Sequence, residues 1–374
     1  MISRRKFIKT SCLIAGGLLS GCGGSSAQES TVAGKWYMPE ESDPHNRTWM
    51  SFIASYDIWE DRQVPEVQKN LAEIAKTIAK YEPVSLLVRE QDYDLALGLL
   101  GGLDSHNHAI ELVIFNMNDL WMRDTGPAFV LNTNGSKAAV NFNFNGWGED
   151  QSFALDAKVA DFVAQKAAVE TIKSTLILEG GCFELDGVGT AIMTESCILN
   201  DNRNPGKSKA VVETELKELL GLEKIIWLKG IKGKDITDGH TDFYARFAKP
   251  GTVVVSRDID PTSYDYQITR DNIEILKAAT DASNKPLELV TLDTPTQISE
   301  LFGIKDFAAG YVGYYVCNEA VIMQKFGDLN ADKAARDKLA QTFPKHEIEQ
   351  ISIDGIASGG GSIHCATQQE PQIE

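Results

Sequence analysis

The sequence predicts an α/β protein, because five stretches with the apolar spacing of amphipathic helices are each followed closely by a short apolar strand. The helices are expected over residues 64–79, 153–169, 211–220, 266–279 and 332–343. The strands that follow them are expected over 84–88, 174–178, 224–228, 287–292 and 348–353. Their starts recur at a loose period, in the range where repeats stacked around a centre come into consideration. The first interval is the longest because it also holds a strand at 111–115 and a loop at 116–127. Further strands are expected at 190–194, 242–247, 252–256, 313–317 and 320–325. An open doubly wound sheet is the alternative, but the glycine-rich turn of a nucleotide site is missing. Gly359-Gly360-Gly361 is followed by Ser-Ile-His-Cys and not by a long helix, and no GxxxxGK[ST] segment occurs.

Residues 1–22 carry the marks of an export signal. Arg4, Arg5, Lys6 and Lys9 precede the apolar run from Cys12 to Leu19. That run is shorter than the roughly 20 residues a membrane-spanning helix needs. The stretch Ser3-Arg4-Arg5-Lys6-Phe7-Ile8-Lys9 resembles a twin-arginine leader, and Leu19-Ser20-Gly21-Cys22 resembles a lipobox, which implies lipidation at Cys22. A plain cleaved signal peptide with an incidental cysteine is the competing explanation. Residues 23–34, including GGSSAQES, form an expected flexible linker. Residues 35–374 are then expected to be a single domain, exported to the periplasm or cell envelope and anchored through Cys22.

The 374 residues, 43% of them hydrophobic, suffice for one large core or two smaller ones. A net charge of -17, from 53 acidic and 36 basic residues, argues against a nucleic-acid surface and permits a cationic substrate. Removing the leader takes away four positive charges and makes the remainder more acidic still. Beyond it lie Cys182, Cys197, Cys317 and Cys365, with no CxxC pair, so neither a cysteine-rich zinc site nor a dithiol redox motif is indicated. Outside the cytoplasm these thiols are able to form disulfides.

Four polar segments interrupt apolar sequence, each after an expected strand and each with a glycine nearby: residues 121–127, 179–181, 237–242 and 359–365. Together they collect Cys365, His240, Asp124, Asp242 and Glu179. A cysteine with a histidine fits nucleophilic catalysis, since a thiolate attacks carbon while imidazole protonates a departing nitrogen and later activates water. That pairing alone also fits a protease. Asp124 and Asp242 tilt the choice, because carboxylates oppose the negative charge that develops on a carbonyl oxygen. They suit guanidinium, a planar cation with five N–H donors in a fixed fork. Glu179 is placed to hold the His240 ring.

Each residue also has a plainer explanation. Cys365 as a buried small hydrophobe, Asp124 paired with Arg123, and His240 exposed between turn residues Asp238 and Asp242 are ordinary structural roles. His240 and Asp242 also have the spacing of a metal pair, without a third ligand at recognisable spacing. No metal and no cofactor is expected.

The motifs Trp121-Met-Arg-Asp-Thr-Gly-Pro127, Leu178-Glu-Gly-Gly181, Asp186-Gly-Val-Gly-Thr190, Leu199-Asn-Asp-Asn-Arg-Asn-Pro205, Thr237-Asp-Gly-His-Thr-Asp242 and Gly359-Gly-Gly-Ser-Ile-His-Cys-Ala-Thr-Gln-Gln-Glu-Pro371 resemble agmatine deiminase, in that family's order. The resemblance begins at Met38-Pro39-Glu40 and His45-Asn-Arg-Thr-Trp-Met50, and the wider group includes bacterial peptidylarginine deiminases. It implies a five-bladed α/β propeller with pseudo-fivefold symmetry and a central site. It implies that Cys365 is the nucleophile and His240 the acid and base, that Asp124 and Asp242 hold the guanidinium, and that Glu179 lies beside the histidine. Trp121, Arg123, Gly360 and Gly361 join the expected substrate-binding set. The implied reaction is hydrolysis of agmatine, a step of putrescine and polyamine synthesis, to N-carbamoylputrescine and ammonia through a thiouronium on Cys365. Two departures bear on the substrate: Ser51 leads to Phe52-Ile53 where the family commonly has Trp-Pro, and Tyr311-Val-Gly-Tyr has glycine where many relatives carry asparagine. With the leader, they keep conversion of arginyl side chains to citrulline as an alternative, and an inactive guanidine-binding lipoprotein as another. Oligomeric state is not legible in the sequence.

Overall fold

In a computed structural model of the chain, residues 34–103, 106–298 and 307–373 are described, and the expected leader and most of the linker lie outside them. Five sheets repeat one connection: a first strand runs antiparallel to a second, the chain crosses through a helix, and a third strand joins parallel to the second. The first sheet uses Ala128–Asn132, Lys137–Asn141, helix Val159–Lys166 and Glu170–Lys173. The second uses Phe183–Leu185, Thr190–Thr194, helix Lys209–Leu220 and Lys224–Leu228. The third uses Ala245–Lys249, Thr252–Arg257, helix Asp265–Ala278 and Glu288–Asp293. The fourth uses Tyr315–Cys317, Ala320–Lys325, helix Leu329–Thr342 and Glu347–Ser352. The fifth draws its first strand, Thr367–Pro371, from far along the chain and pairs it with His45–Ser51, which crosses through helix Val64–Ile78 to Val84–Val88. Ile110–Ile114 extends the fifth sheet and Trp36–Tyr37 the first.

Local chemistry explains the recurrence. The second strands are apolar runs such as Val253-Val254-Val255 and Val321-Ile322-Met323, buried on both faces, as strands with parallel neighbours are. The first crossover helix has Pro65 in its opening turn and buries Val64, Val67, Leu71, Ile74 and Ile78, the spacing of one helical face. The side chains of Ser208 and Asp328 cap two others by accepting from Val211 N and Ala331 N.

The expected strand at 174–178 is instead an irregular segment, and the paired strand is Glu170–Lys173. Its apolar residues Leu176 and Leu178 are buried, but between its end bonds to the Asn141 and Phe142 carbonyls its backbone groups bond to side chains. Asn143 Nδ2 donates to the carbonyls of Ser174 and Leu176, at 2.8 and 2.9 Å, and Ile177 N donates to Asn204 Oδ1 at 3.1 Å. Burial without a sheet ladder therefore imitates a strand in the sequence. The helix expected at 153–169 is shorter, running Val159–Lys166 after a 3₁₀ turn at Asp156–Lys158. The strand expected at 242–247 starts later, at Ala245, because Asp242 lies in a 3₁₀ turn, Thr241–Phe243.

That turn has a counterpart in every sheet. Asp124 precedes the first strand of the first sheet, Glu179 that of the second, His240 and Asp242 that of the third, Tyr314 that of the fourth and Cys365 that of the fifth.

Candidate active site

Cys365 is buried, with its Sγ 3.3 Å from Ser362 Oγ and 3.8 Å from Asp242 Oδ2. Asp242 Oδ2 also meets His364 Nδ1 at 2.7 Å, while its Oδ1 is buried without a hydrogen-bond partner. An unpaired buried carboxylate oxygen costs free energy unless a donor joins it, so it marks a place for a cationic N–H group.

His240 lies between two carboxylates. Its Nε2 is 3.2 Å from Glu179 Oε2 and its Nδ1 is 3.8 Å from Asp124 Oδ1. Gly181 permits this approach: a Cβ there would stand 2.4 Å from His240 Nδ1. Gly181 N also donates to Asp124 Oδ1 at 3.2 Å, and Trp147 Nε1 donates to Asp124 Oδ2 at 3.0 Å. Trp147 is itself held at φ 55°, a left-handed conformation uncommon for a bulky side chain.

The charges divide the site. Burial, helped by Asp242 and Asp124, pushes the Cys365 thiol well above its ordinary value. Burial also raises the Asp124 carboxyl, to about 6, with Asp242 and Glu179 adding to the rise and His240 opposing it. Burial opposes the charge on His240, but Asp124 and the hydrogen bonds with Cys197 and Glu179 prevail and hold the imidazole well above its usual range. Glu179 resists burial too: its bond to His240 and the charge of Arg203 lower it to about 2. Arg203 Nε reaches both Glu179 oxygens, at 2.9 and 3.0 Å, and its Nη1 reaches Asp238 Oδ2 at 2.8 Å.

Behind Cys365, His364 Nε2 is 3.0 Å from Glu41 Oε2. Glu41 Oε1 lies 2.7 Å from Arg246 Nη2, and Arg246 Nε donates to Glu184 Oε1 at 2.9 Å. The Arg123 side chain joins this layer, donating to Glu41 Oε2 at 3.0 Å and Gln369 Oε1 at 2.8 Å, while its backbone N bonds Cys365 O at 3.1 Å. Trp121 gives its indole N–H to Asp119 Oδ2 at 2.9 Å, and Trp59 gives its own to Asp119 Oδ1 at 2.8 Å. Gly361 lets the glycine segment pass over Trp121, where a Cβ would stand 2.0 Å from the ring. Gly360 takes φ 87° in the same segment.

The sequence-derived residues thus fall into two tiers. Cys365, His240, Asp124, Asp242 and Glu179 converge, whereas Arg123 has its donors committed to Glu41, Gln369 and the His364 carbonyl. Residues the sequence left without a role are His364, Glu41, Arg203, Arg246 and Trp147. Arg203 stands within a motif, but Arg246 had no signal beyond a charge in an otherwise apolar strand. A small cleft touches Asp124 and is lined by Phe142, Phe144, Leu178 and Phe183, among others. Cys365, His240 and Asp242 are not in its lining, so of the converging groups Asp124 alone joins the two places. Among the described residues, Glu179, Cys182, Cys197 and His240 bring one metal-ligating atom each within 4.8 Å of one another, a donor set zinc accepts.

The Porphyromonas-type peptidyl-arginine deiminase family matches residues 37–371. An agmatine deiminase of Stutzerimonas stutzeri is 35% identical over 358 residues, covering 90% of this chain and 95% of its own length. The agmatine deiminase of Medicago truncatula is 34% identical, with 90% of this chain and 97% of that protein covered. The solved structure of Enterococcus faecalis agmatine deiminase superposes with a TM-score of 0.83 at 30% identity, covering 91% of this chain and 97% of that one. The fold therefore resembles the α/β fold of those enzymes, and the chain belongs to the Porphyromonas-type peptidyl-arginine deiminase family as an agmatine-deiminase-type member.

Proposed function

We propose that the chain hydrolyses the guanidinium group of a small cationic guanidine, agmatine first, with Cys365 as nucleophile and His240 as proton carrier. The observation that carries this is the unpaired, buried Asp242 Oδ1 in a site where Asp242 touches Cys365 and Asp124 faces His240. Asp124 and Asp242 form a fork for guanidinium beside the sulfur. Entry of that cation offsets the two carboxylates that add to burial in keeping the Cys365 thiol protonated, so the thiol releases its proton to solvent as substrate binds. The thiolate then bonds to the central guanidinium carbon. His240, held as imidazolium, gives its proton to one terminal nitrogen, the C–N bond breaks, and ammonia leaves a thiouronium. Neutral His240 next takes a proton from water, whose oxygen bonds to the same carbon. The C–S bond breaks as the added hydroxyl passes its proton to the departing sulfur, which restores the Cys365 thiol, and the urea product leaves; for agmatine this is N-carbamoylputrescine. Glu179 fixes the imidazole, and Trp121, Arg123, Gly360 and Gly361 serve by shaping the walls around the fork.

The recurring connection of the five sheets, with a site residue or a neighbour of the site before each first strand, supports a five-bladed pseudo-fivefold α/β propeller with the chemistry at its centre. Burial of every reacting side chain favours a small diffusing guanidine over an arginine on a polypeptide. Comparison of kcat/KM for agmatine, free arginine and a blocked arginyl peptide tests this. Preference for the peptide replaces the assignment with peptidylarginine deimination, and affinity without ammonia release replaces it with a binding protein. The leader-like residues support export and acylation at Cys22 of a single domain beginning near residue 35. No helix among the described residues is long and apolar enough to cross a membrane. Detergent extraction with intact-mass measurement should find a fatty-acylated chain starting at Cys22; a chain cleaved beyond that position and freely soluble excludes the anchor.

A further inference from the structure

Two cysteines outside the proposed reaction lie directly behind its histidine. Cys182 ends the 3₁₀ turn Gly180–Cys182, Cys197 lies in the short helix Glu195–Ile198, and both are wholly buried. Their sulfurs are 2.9 Å apart, inside the van der Waals contact of two thiols. Cys182 Sγ is 3.0 Å and Cys197 Sγ 3.5 Å from Glu179 Oε2, the oxygen that holds His240. Cys317, by contrast, has its sulfur against the Ala320 carbonyl, at 3.6 Å.

We propose that Cys182 and Cys197 are a modification site: a dithiol that a small peroxide converts to a disulfide, stapling the Glu179 turn to the helix beneath His240. One thiol and hydrogen peroxide give a sulfenic acid and water; the second sulfur then attacks the first, forming the S–S bond and releasing a second water. Two electrons and two protons pass from the thiols to the peroxide. Cys197 is the better placed to start. Burial works against its ionisation, but the hydrogen bond from Cys182 outweighs it and holds that thiol below its ordinary value. Complete burial restricts the oxidant to a molecule about the size of water. A zinc ion fits the pair less well, since two Zn–S bonds of about 2.3 Å in tetrahedral geometry set the sulfurs about 3.8 Å apart, and Arg203 already holds Glu179.

The full chain is treated with hydrogen peroxide, alkylated after denaturation without reductant, digested and mapped. The expected product is one peptide pair linking Cys182 to Cys197, with Cys317 recovered as an alkylated thiol. Tm should rise by roughly 4 °C in the linked protein, as closure of a short loop predicts, and dithiothreitol should reverse the rise. Cys182→Ser should neither link nor respond. Activity is not the readout, because peroxide also attacks Cys365. Recovery of Cys182 and Cys197 as free thiols or sulfinic acids overturns the proposal. So does stoichiometric zinc in the isolated protein that shields both from alkylation.

Discussion

The two walls of the site are built on opposite electrostatic plans. On the histidine wall, His240 is balanced by Glu179 and Asp124, and Glu179 in turn by Arg203, so every charge has a buried counter-charge. On the cysteine wall, Cys365 faces Asp242 and Asp124, and His364 meets Asp242 through one oxygen only, while Arg246 is spent on Glu41 and Glu184. One wall is complete in the free protein; the other keeps an unpaired oxygen and a protonated sulfur until a cation enters. On the proposed mechanism the free site stores its acid ready-made and generates its nucleophile on demand, which would limit reaction of the thiol with anything that does not carry a positive charge.

The sharpest way to break this contrast is Cys365→Ser. A hydroxyl cannot be brought to its anion by one guanidinium, so kcat should fall by on the order of 10⁴-fold or more with the fold retained. Full activity, or a trapped adduct on any other residue, removes the assignment. Arg203→Met attacks the other wall. It leaves Glu179 buried opposite a single imidazole and should cost about 3–5 kcal/mol of folding stability by denaturant titration. A loss below about 1 kcal/mol would mean that Glu179 is not sustained by that guanidinium. Glu179 also gives stability a pH signature. Its folded-state value of about 2 lies below the ordinary carboxyl range, so its contribution is full above about 4.3 and should disappear as pH falls from there towards 2.

His364→Asn tests whether Asp242 is aimed by its neighbour. The imidazole bonds Asp242 Oδ2, the oxygen that also lies against Cys365, so its loss should raise KM and lower kcat/KM by about 10–100-fold, while Cys365 remains open to alkylation by a cationic haloacetamidine. An unchanged KM would assign His364 to packing alone. The smallest expected effect is in the pH profile. The proposed fork needs Asp124 ionised, and burial raises that carboxyl to about 6. The acid limb of kcat/KM should therefore fall near pH 6, and the limb of kcat lower, because bound guanidinium stabilises the carboxylate. Coincident limbs would show that Asp124 does not meet the cation.

The residues that converge at the centre were far more legible in the sequence than those that support them. Cys365, His240, Asp124, Asp242 and Glu179 stand in glycine-bearing interruptions of apolar sequence, and the fold does bring them together. Helix periodicity located all five crossover helices, although the one at Val159–Lys166 proved shorter than its apolar pattern. The segment at 174–178 misled because burial, and not strand pairing, produced its pattern. Glu41 and Arg246 were illegible for a different reason. They meet each other only after residues 205 positions apart are brought together, and neither stands in a local pattern that distinguishes a buried charge from an exposed one. Trp147 is similar, since the positive φ that aims its indole at Asp124 leaves only the flanking Gly146 and Gly148 as a trace.

The pairing of Thr367–Pro371 with His45–Ser51 has a consequence for how the protein comes into being. The strand just beyond Cys365 is made long after His45–Ser51, the strand it pairs with. While the ribosome is still adding residues, His45–Ser51 must wait with one edge unpaired, an invitation to wrong partners. Glu370, which bonds the buried Trp49 indole at 2.9 Å and the Lys137 ammonium at 2.5 Å, does not yet exist to hold it. A nascent chain stalled before residue 365 has neither the sulfur nor the closing strand. On the proposed mechanism, a newly made chain cannot act on guanidines before synthesis has passed Thr367–Pro371 and that strand has paired with His45–Ser51.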